Sequence, residues 1–304
     1  LDGQIQYNLG GAFAGAANVS IEGGELRLSA IPTPTPPAAN GVKIFGRSVA
    51  GRNIPAFVGP SGLDSSLQPF LARNKIAYAQ PNGNSTTVSV LGVAITAAGT
   101  ATAANVATTN LHQSLRRIDY LVTTAAATAV AGFRGAATQF FMGNAPGRGG
   151  FMFVCRFGPA TGVATGTHRL FCGMRSSTAA PTDVDPSTLT NIVGVGYDAA
   201  DTQLQIFCND GSGVATKIPL GTSFPKPSSD RAKVYELALF CPPNGTSIRY
   251  EVTDLDTSAV EAGELTTNIP TSTTLLNHYA YMSVGGTSSV IGMALMSLYI
   301  ETDM

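Results

Sequence analysis

The sequence predicts an all-β protein: a short N-terminal β stem that intertwines with other copies, followed by an antiparallel β-sandwich of jelly-roll or lectin-like type. Period-two alternation or short β-rich apolar runs recur through residues 76–300, and turn signals such as Asn82-Gly83-Asn84, Asn209-Asp210-Gly211-Ser212-Gly213 and Pro242-Pro243-Asn244-Gly245 separate them. No segment of comparable length holds a helical period. Regular short strands between turns favour two packed sheets.

From the N-terminus, Gln4-Ile5-Gln6-Tyr7 and Glu25-Leu26-Arg27-Leu28 alternate as half-buried strands, with glycine pairs supplying the turns. Strands this short bury too little apolar surface to offset chain entropy, so they require a neighbour or copies of themselves. The prolines of Ile31-Pro32-Thr33-Pro34-Thr35-Pro36-Pro37 remove donors and hold φ extended, which makes a semi-rigid spacer. Val42-Lys43-Ile44-Phe45 resumes a strand. Asp64, Ser65 and Ser66 are expected to cap a short helix from Leu67 to Ala72, limited by Pro69. These features divide the chain into 1–40 (attachment strands and spacer), 41–75 (linking shoulder) and 76–304 (sandwich tip).

Within the sandwich, strands are expected at 76–78, 87–93, 120–123, 150–157, 168–174, 192–197, 203–208, 234–241, 247–253 and 292–300. Ile248, Tyr250 and Val252 face inward. The run 290–300 is apolar on both faces, with Ile291, Met293 and Leu295 on one side and Ala294, Met296, Leu298 and Ile300 on the other. It therefore needs cover on both sides, from a loop or from another subunit. The run 150–155 has the same character, and the two runs are expected to pair. The stretches 96–104 and 125–131 consist almost wholly of Ala, Thr and Gly, which disfavours a helix and leaves close β packing or an ordered loop.

Composition narrows the function. Only 12% of the 304 residues are charged, and 18 Lys and Arg against 19 Asp and Glu provide no positive field for nucleic acid or an anionic membrane. No apolar run reaches the roughly 20 residues that span a bilayer. Cys155, Cys172, Cys208 and Cys241 lie far apart in apolar runs, without the close pairs of a zinc site, and read as buried free thiols. The three histidines, His112, His168 and His278, have no metal-ligand spacing, and no nucleophile elbow or phosphate loop occurs. No cofactor or metal is expected.

Carboxylate pairs suited to glycoside hydrolysis are Asp183 with Asp185, Asp198 with Asp201, and Asp254 with Asp256. Each lies in a turn-like stretch, where aspartates bond their own backbone more often than they transfer protons. Receptor binding fits better: sugar sites combine loop carboxylates and amides with an aromatic platform. Without tryptophan, the available combinations are Tyr197-Asp198, Asn209-Asp210 and the run Asn277, His278, Tyr279 and Tyr281.

The ordered set Gly3-Gln4-Ile5-Gln6-Tyr7-Asn8, Gly10-Gly11-Ala12-Phe13, Phe45-Gly46-Arg47, Gly51-Arg52-Asn53-Ile54-Pro55, Arg116-Arg117-Ile118-Asp119-Tyr120 and Tyr299-Ile300-Glu301-Thr302-Asp303 resembles tail-fibre proteins of tailed bacteriophages. The resemblance implies a non-catalytic structural virion protein. It implies a homotrimer joined to other phage tail or baseplate proteins, with a tip that binds a host-surface glycan or protein receptor after assembly in the bacterial cytoplasm. Leu1 is not an initiator, so residues are expected to precede it. Two alternatives remain: a capsid decoration or fibre-anchoring protein, and a polysaccharide hydrolase.

Overall fold

The computed structural model describes residues 4–9, 12–38, 41–59, 64–66 and 75–302, and the chain divides into two units, Leu1–Phe70 and Leu71–Met304. In the first unit β1 (Gln4–Leu9), β2 (Ala12–Glu22) and β3 (Glu25–Leu28) form an antiparallel meander. Gly23 and Gly24, both at positive φ, close the β2–β3 hairpin in the two-residue form that matches strand twist. Its register pairs Val19 with Leu28 and Ile21 with Leu26 on one face, and Ser20 with Arg27 on the other. Arg27 donates to Glu22 at 2.6 Å on that polar face. The apolar face is open, with Ile21 45% and Leu26 59% exposed.

A second three-stranded sheet holds β4 (Lys43–Val49), β5 (Arg52–Val58) and β6 (Asp64–Ser66). Phe45, Ala56 and Val58, with Ile31 against them, form its small core. Ala30 bridges to Gly46, where a Cβ would lie 2.9 Å from the Ser29 carbonyl oxygen, so only glycine admits the approach. This contact ties the segment that follows β3 to β4 within the first unit. The residues expected to cap a helix, Asp64 to Ser66, instead pair with β5, which satisfies their backbone groups in a ladder. The helix expected at 67–72 lies outside the described residues.

The second unit is an antiparallel β-sandwich. Its strands are β7 (Lys75–Pro81), β8 (Val88–Leu91), β9 (Ile95–Ala98), β10 (Thr100–Ala104), β11 (Arg117–Ala126), β12 (Val130–Gly135), β13 (Phe151–Thr161), β14 (Arg169–Arg175), β15 (Ile192–Tyr197) and β16 (Gln205–Asn209). They continue with β17 (Thr216–Pro219), β18 (Tyr235–Cys241), β19 (Ile248–Asp254), β20 (Ala259–Leu265), β21 (Asn277–Ser283) and β22 (Ser289–Thr302). One sheet runs β10-β11-β22-β13-β18-β19-β20, with β7 and β8 beside the last part of β22; the other runs β17-β16-β15-β14-β21-β12-β9. Between them lies one core that includes Phe151, Phe153 and Phe157 of β13, Leu170 and Met174 of β14, and Ile248, Tyr250 and Val252 of β19.

The pairing expected between the apolar runs is present, with Phe153 opposite Ile300 and Cys155 opposite Leu298. The double-sided pattern of β22 has a specific cause. Arg156 pairs with Ser297 and the next residue, Phe157, with Leu295, so Met296 is the extra residue of a β-bulge. A bulge inverts parity. Ile291, Met293 and Leu295 before it, and Leu298 and Ile300 after it, therefore all enter the same core. At the same point β22 changes its other neighbour, from β11 through Leu295 to β7 from Leu298. Ala294 and Met296 face outward and are covered within the chain by Leu111, Leu115 and Leu255.

That cover is supplied partly by α1 (Leu111–Ser114), where the Asn110 side chain accepts from the Gln113 N–H. The Arg117 guanidinium donates to the carbonyls of His112 and Gln113 at the other end of the turn. All three histidines are buried. Burial lowers the pKa of His112 to about 3, aided by Arg117 and Arg231. Burial likewise lowers His168 to about 4, aided by Lys226, and His278 to about 4. A depressed folded pKa means that the unfolded chain takes up protons first, so stability is full above 6.5 and falls as pH drops toward the folded values. Urea unfolding midpoints should thus decline from pH 6.5 to pH 4, by up to about 1.4 kcal/mol per pH unit for each histidine.

Candidate functional site

The strand register brings a set of charged side chains to one end of the second sheet. Arg169 opens β14 opposite Ser283 at the end of β21, while Leu170 pairs with Tyr197 at the end of β15. Gln205 and Pro219 mark the same end of β16 and β17. The loop 176–191 returns to this edge with Asp183 and Asp185, and the turn after β15 adds Asp198 and Asp201.

Arg169 donates to both loop carboxylates, through Nη1 to Asp183 and through Nε to Asp185, each at 2.6 Å. Asp183 also accepts the N–H groups of Gly285 and Gly286, at 2.9 and 3.0 Å. Lys217 Nζ bridges Asp198 at 2.8 Å and Asp201 at 2.7 Å, and Asp198 accepts the Ser187 N–H. Lys226 donates to the Ala199 carbonyl at 2.8 Å and lies 5.0 Å from the centre of the Tyr197 ring. The result is a continuous clamp that ties the loop, two turns and three strands together.

Electrostatics follow this geometry. Burial pushes the Asp183 carboxyl up, but Ser283, the Gly285 N–H and Arg169 outweigh it and hold it below its usual range. Burial pulls Arg169 and Lys217 down, and their paired aspartates more than restore them. Lys226 is different: burial prevails over the nearby carboxylates and lowers its pKa to about 8. The aspartates at 183 and 185 share one guanidinium, and those at 198 and 201 share one ammonium. A general acid requires a carboxyl destabilised by its surroundings, the opposite of what holds Asp183. Asp254 accepts Lys233 at 2.7 Å together with the Asp256 N–H, and Asp256 accepts the Val234 N–H, which makes this third pair a hairpin lock.

Of the eight residues proposed for receptor contact, burial takes seven out of reach of a ligand. Tyr197 is in the core, with the His168 ring edge-on at 5.2 Å, and Asp198 belongs to the clamp. Asn209 is buried and accepts the Gly211 N–H at 2.7 Å. The Asn277 amide donates to the carbonyls of Arg175 and Ser177 and accepts the Gly135 N–H, which anchors one end of the loop 176–191. His278 faces inward, 6.3 Å from the Phe133 ring. Tyr279 and Tyr281 lie on the outer face with Phe171 and Phe207, beneath Val184 and Leu189 of that loop, and the Tyr281 hydroxyl donates to the Val184 carbonyl. The aromatics at 279 and 281 are loop-covered packing. Asp210 alone remains partly exposed, in a turn where it accepts the N–H and hydroxyl of Ser212.

Arg169, Lys217 and Lys226 were not singled out from the sequence. Arg169 carried a usable signal, since a lone arginine opening the apolar strand Leu170-Phe171-Cys172 needs an acceptor at the strand end. The two lysines carried none, because their acceptors come from distant turns.

No protein-family model matches the chain, and no curated protein matches its sequence. Among solved structures, peanut lectin with a nine-residue peptide aligns at 13% identity and a TM-score of 0.46, over 75% of this chain and 97% of the lectin. Arcelin-5, a lectin-like defence protein from Phaseolus vulgaris, aligns at 5% identity and 0.47, over 76% and 98%. A protein of unknown function from Shewanella oneidensis MR-1 aligns at 10% identity and 0.43, over 78% and 90%.

Replacing Arg169 with methionine removes the cation shared by the nearly buried Asp183 and the half-buried Asp185 and leaves them to backbone N–H donors. The variant should lose about 3 kcal/mol in urea unfolding and become susceptible to proteolysis within 176–191, whereas a variant equal to the parent would refute the clamp.

Proposed function

We propose that this chain is a non-catalytic attachment subunit of the tail-fibre type, a virion component that trimerises through its first unit and presents its sandwich to a host-surface receptor. The observation that carries this reading is the one-sided hairpin of β2 and β3. Val19, Ile21, Leu26 and Leu28 share one aliphatic face, and the pair nearest the turn, Ile21 and Leu26, is 45% and 59% exposed. The resemblance of the N-terminal and linking segments to tail-fibre proteins points the same way. The commitment of the paired aspartates to structural clamps favours attachment over hydrolysis.

The receptor contact is assigned to the turn after β16. Asp210 and Ser212 offer oxygens for hydroxyl groups, and Val214, 75% exposed, offers an apolar surface beside them. Asn268 fixes this turn by donating to the Val214 carbonyl and accepting the Asp210 N–H. Three such weak sites on one assembly gain strength from effective concentration.

Light scattering of the full chain should give about three times its 31.2 kDa mass. Replacing Ile21 and Leu26 together with aspartate should give monomers whose sandwich melts unchanged and whose binding to host cells falls at least tenfold. Replacing Asp210 with alanine and Val214 with aspartate should leave the trimer intact and abolish cell binding. A monomeric parent would overturn the assembly, and a trimer without affinity for host cells would favour the fibre-anchoring alternative.

A further inference from the structure

Asparagine is followed by glycine at 40–41, 82–83 and 244–245. At such a step the glycine nitrogen is the next backbone atom group to the asparagine side-chain amide, and no Cβ hinders their approach. Whether the two react depends on how the glycine N–H and the amide carbonyl are held. The Gly41 N–H donates to the Ala38 carbonyl at 3.1 Å, and the Gly245 N–H to the Pro242 carbonyl at 2.9 Å. Asn244 is also fixed at a φ of 58°, with its own N–H 3.0 Å from the Met142 carbonyl oxygen and 3.1 Å from that of Arg148. The step at 82–83 is held differently. Asn82 is exposed in the turn between β7 and β8, and its N–H donates to the Thr87 carbonyl at 3.0 Å. Among the described residues the Gly83 N–H has no hydrogen-bond partner. Across the turn, the Ser89 hydroxyl donates to Asn82 Oδ1 at 2.8 Å.

We infer that Asn82 is a self-modifying site that converts to aspartate and isoaspartate in the folded protein, with water as the co-reactant. The Gly83 nitrogen gives its proton to hydroxide and attacks Asn82 Cγ. The Cγ–Nδ2 bond breaks, ammonia leaves with a proton taken from water, and a cyclic succinimide joins Cγ to the Gly83 nitrogen. Water then opens the ring. Attack at Cγ breaks its bond to the Gly83 nitrogen and gives aspartate. Attack at the main-chain carbonyl carbon breaks the other carbon–nitrogen bond and gives isoaspartate, in which the chain runs through Cγ. In sum, a side-chain amide and water become a carboxylate and an ammonium ion.

The contacts around the step favour this course. Attack at Cγ places negative charge on Oδ1, where the Ser89 hydroxyl already donates, as a donor aimed at a developing oxyanion does. Losing its proton costs the Gly83 nitrogen no hydrogen bond of the fold, whereas the nitrogens of Gly41 and Gly245 would each give one up. The product adds a negative charge to a turn that packs against Arg116, whose Cγ is 2.9 Å from the position a Cβ on Gly83 would take. Isoaspartate also lengthens the main chain of the turn by one carbon. Among the described strands β8 pairs only with β7, so the change is confined to this hairpin while β7 keeps its ladder with β22.

The test incubates the full chain at neutral and at mildly alkaline pH, folded and in denaturing urea, followed by digestion in acid and peptide mapping by mass spectrometry. In the folded chain the Asn82 peptide should gain the mass of deamidation, faster at the higher pH, with isoaspartate detected by enzymatic methyl transfer, while the Asn244 peptide stays unmodified. In urea both peptides should convert. Asn82→Gln should abolish the reaction at 82. Ser89→Ala should slow it severalfold in the folded chain and leave the rate in urea unchanged; a serine that only braced the turn would, when lost, loosen it and speed the reaction. An Asn82 peptide that converts in urea but stays intact in the folded chain would overturn the proposal, as would Asn244 reacting in the folded chain as fast as Asn82. A Ser89→Ala rate equal to or above that of the parent would overturn the part given to its hydroxyl.

Discussion

The sandwich depends on the burial of β22, the strand that borders β11, β13 and β7. A run of eleven mainly apolar residues in strict alternation would split its side chains between two faces. The single extra residue at Met296 prevents this by inverting the parity partway along, so that both halves serve the same core. It also marks the place where one neighbour gives way to another, as expected of a bulge that bends its strand. The outward set that remains, Ala294 and Met296, is small enough to be covered by one turn of helix and its flanking leucines. One local irregularity thus reconciles an unusually apolar strand with a two-layer architecture.

The two units differ in how they meet the same demand for burial. In the sandwich, both faces of the second sheet are covered, one by the core and the other by the loop 176–191. The few charged groups in this region are concentrated where that loop must be held, at Arg169, Lys217 and their aspartates. Low overall charge and dense local pairing are consistent: charges serve as fasteners. In the hairpin of β2 and β3, by contrast, the aliphatic side chains at 21 and 26 share a face and stay about half exposed among the described residues. A face of this kind is what an assembly surface requires.

Much of the sandwich was legible because strands such as 248–253 alternate cleanly, with Ile248, Tyr250 and Val252 inward. Other strands were hidden for identifiable reasons. The Asn277–Ser283 strand is buried on both faces but built from polar and aromatic types, so it read as a binding loop. The edge strand β20 has little buried surface and no apolar alternation to display. Strands β9 and β10 consist almost entirely of Ala and Thr, whose small side chains carry no face preference. At the charged end, the aspartates were visible as pairs, but their partners were not. Sequence spacing shows which carboxylates are near one another along the chain; only the ladder register shows which cation reaches them.

The central claim is that one inserted residue aligns the two halves of β22 with one core. The most direct measurement is the urea unfolding midpoint of a chain lacking Met296, compared with Met296→Ala. The alanine variant loses a buried side chain, at a cost of about 2–5 kcal/mol, and keeps the register. Deletion restores strict alternation and turns Leu298 and Ile300 away from the core, so it should abolish the cooperative transition altogether. A deletion variant that unfolds cooperatively at or above the midpoint of Met296→Ala would contradict the account.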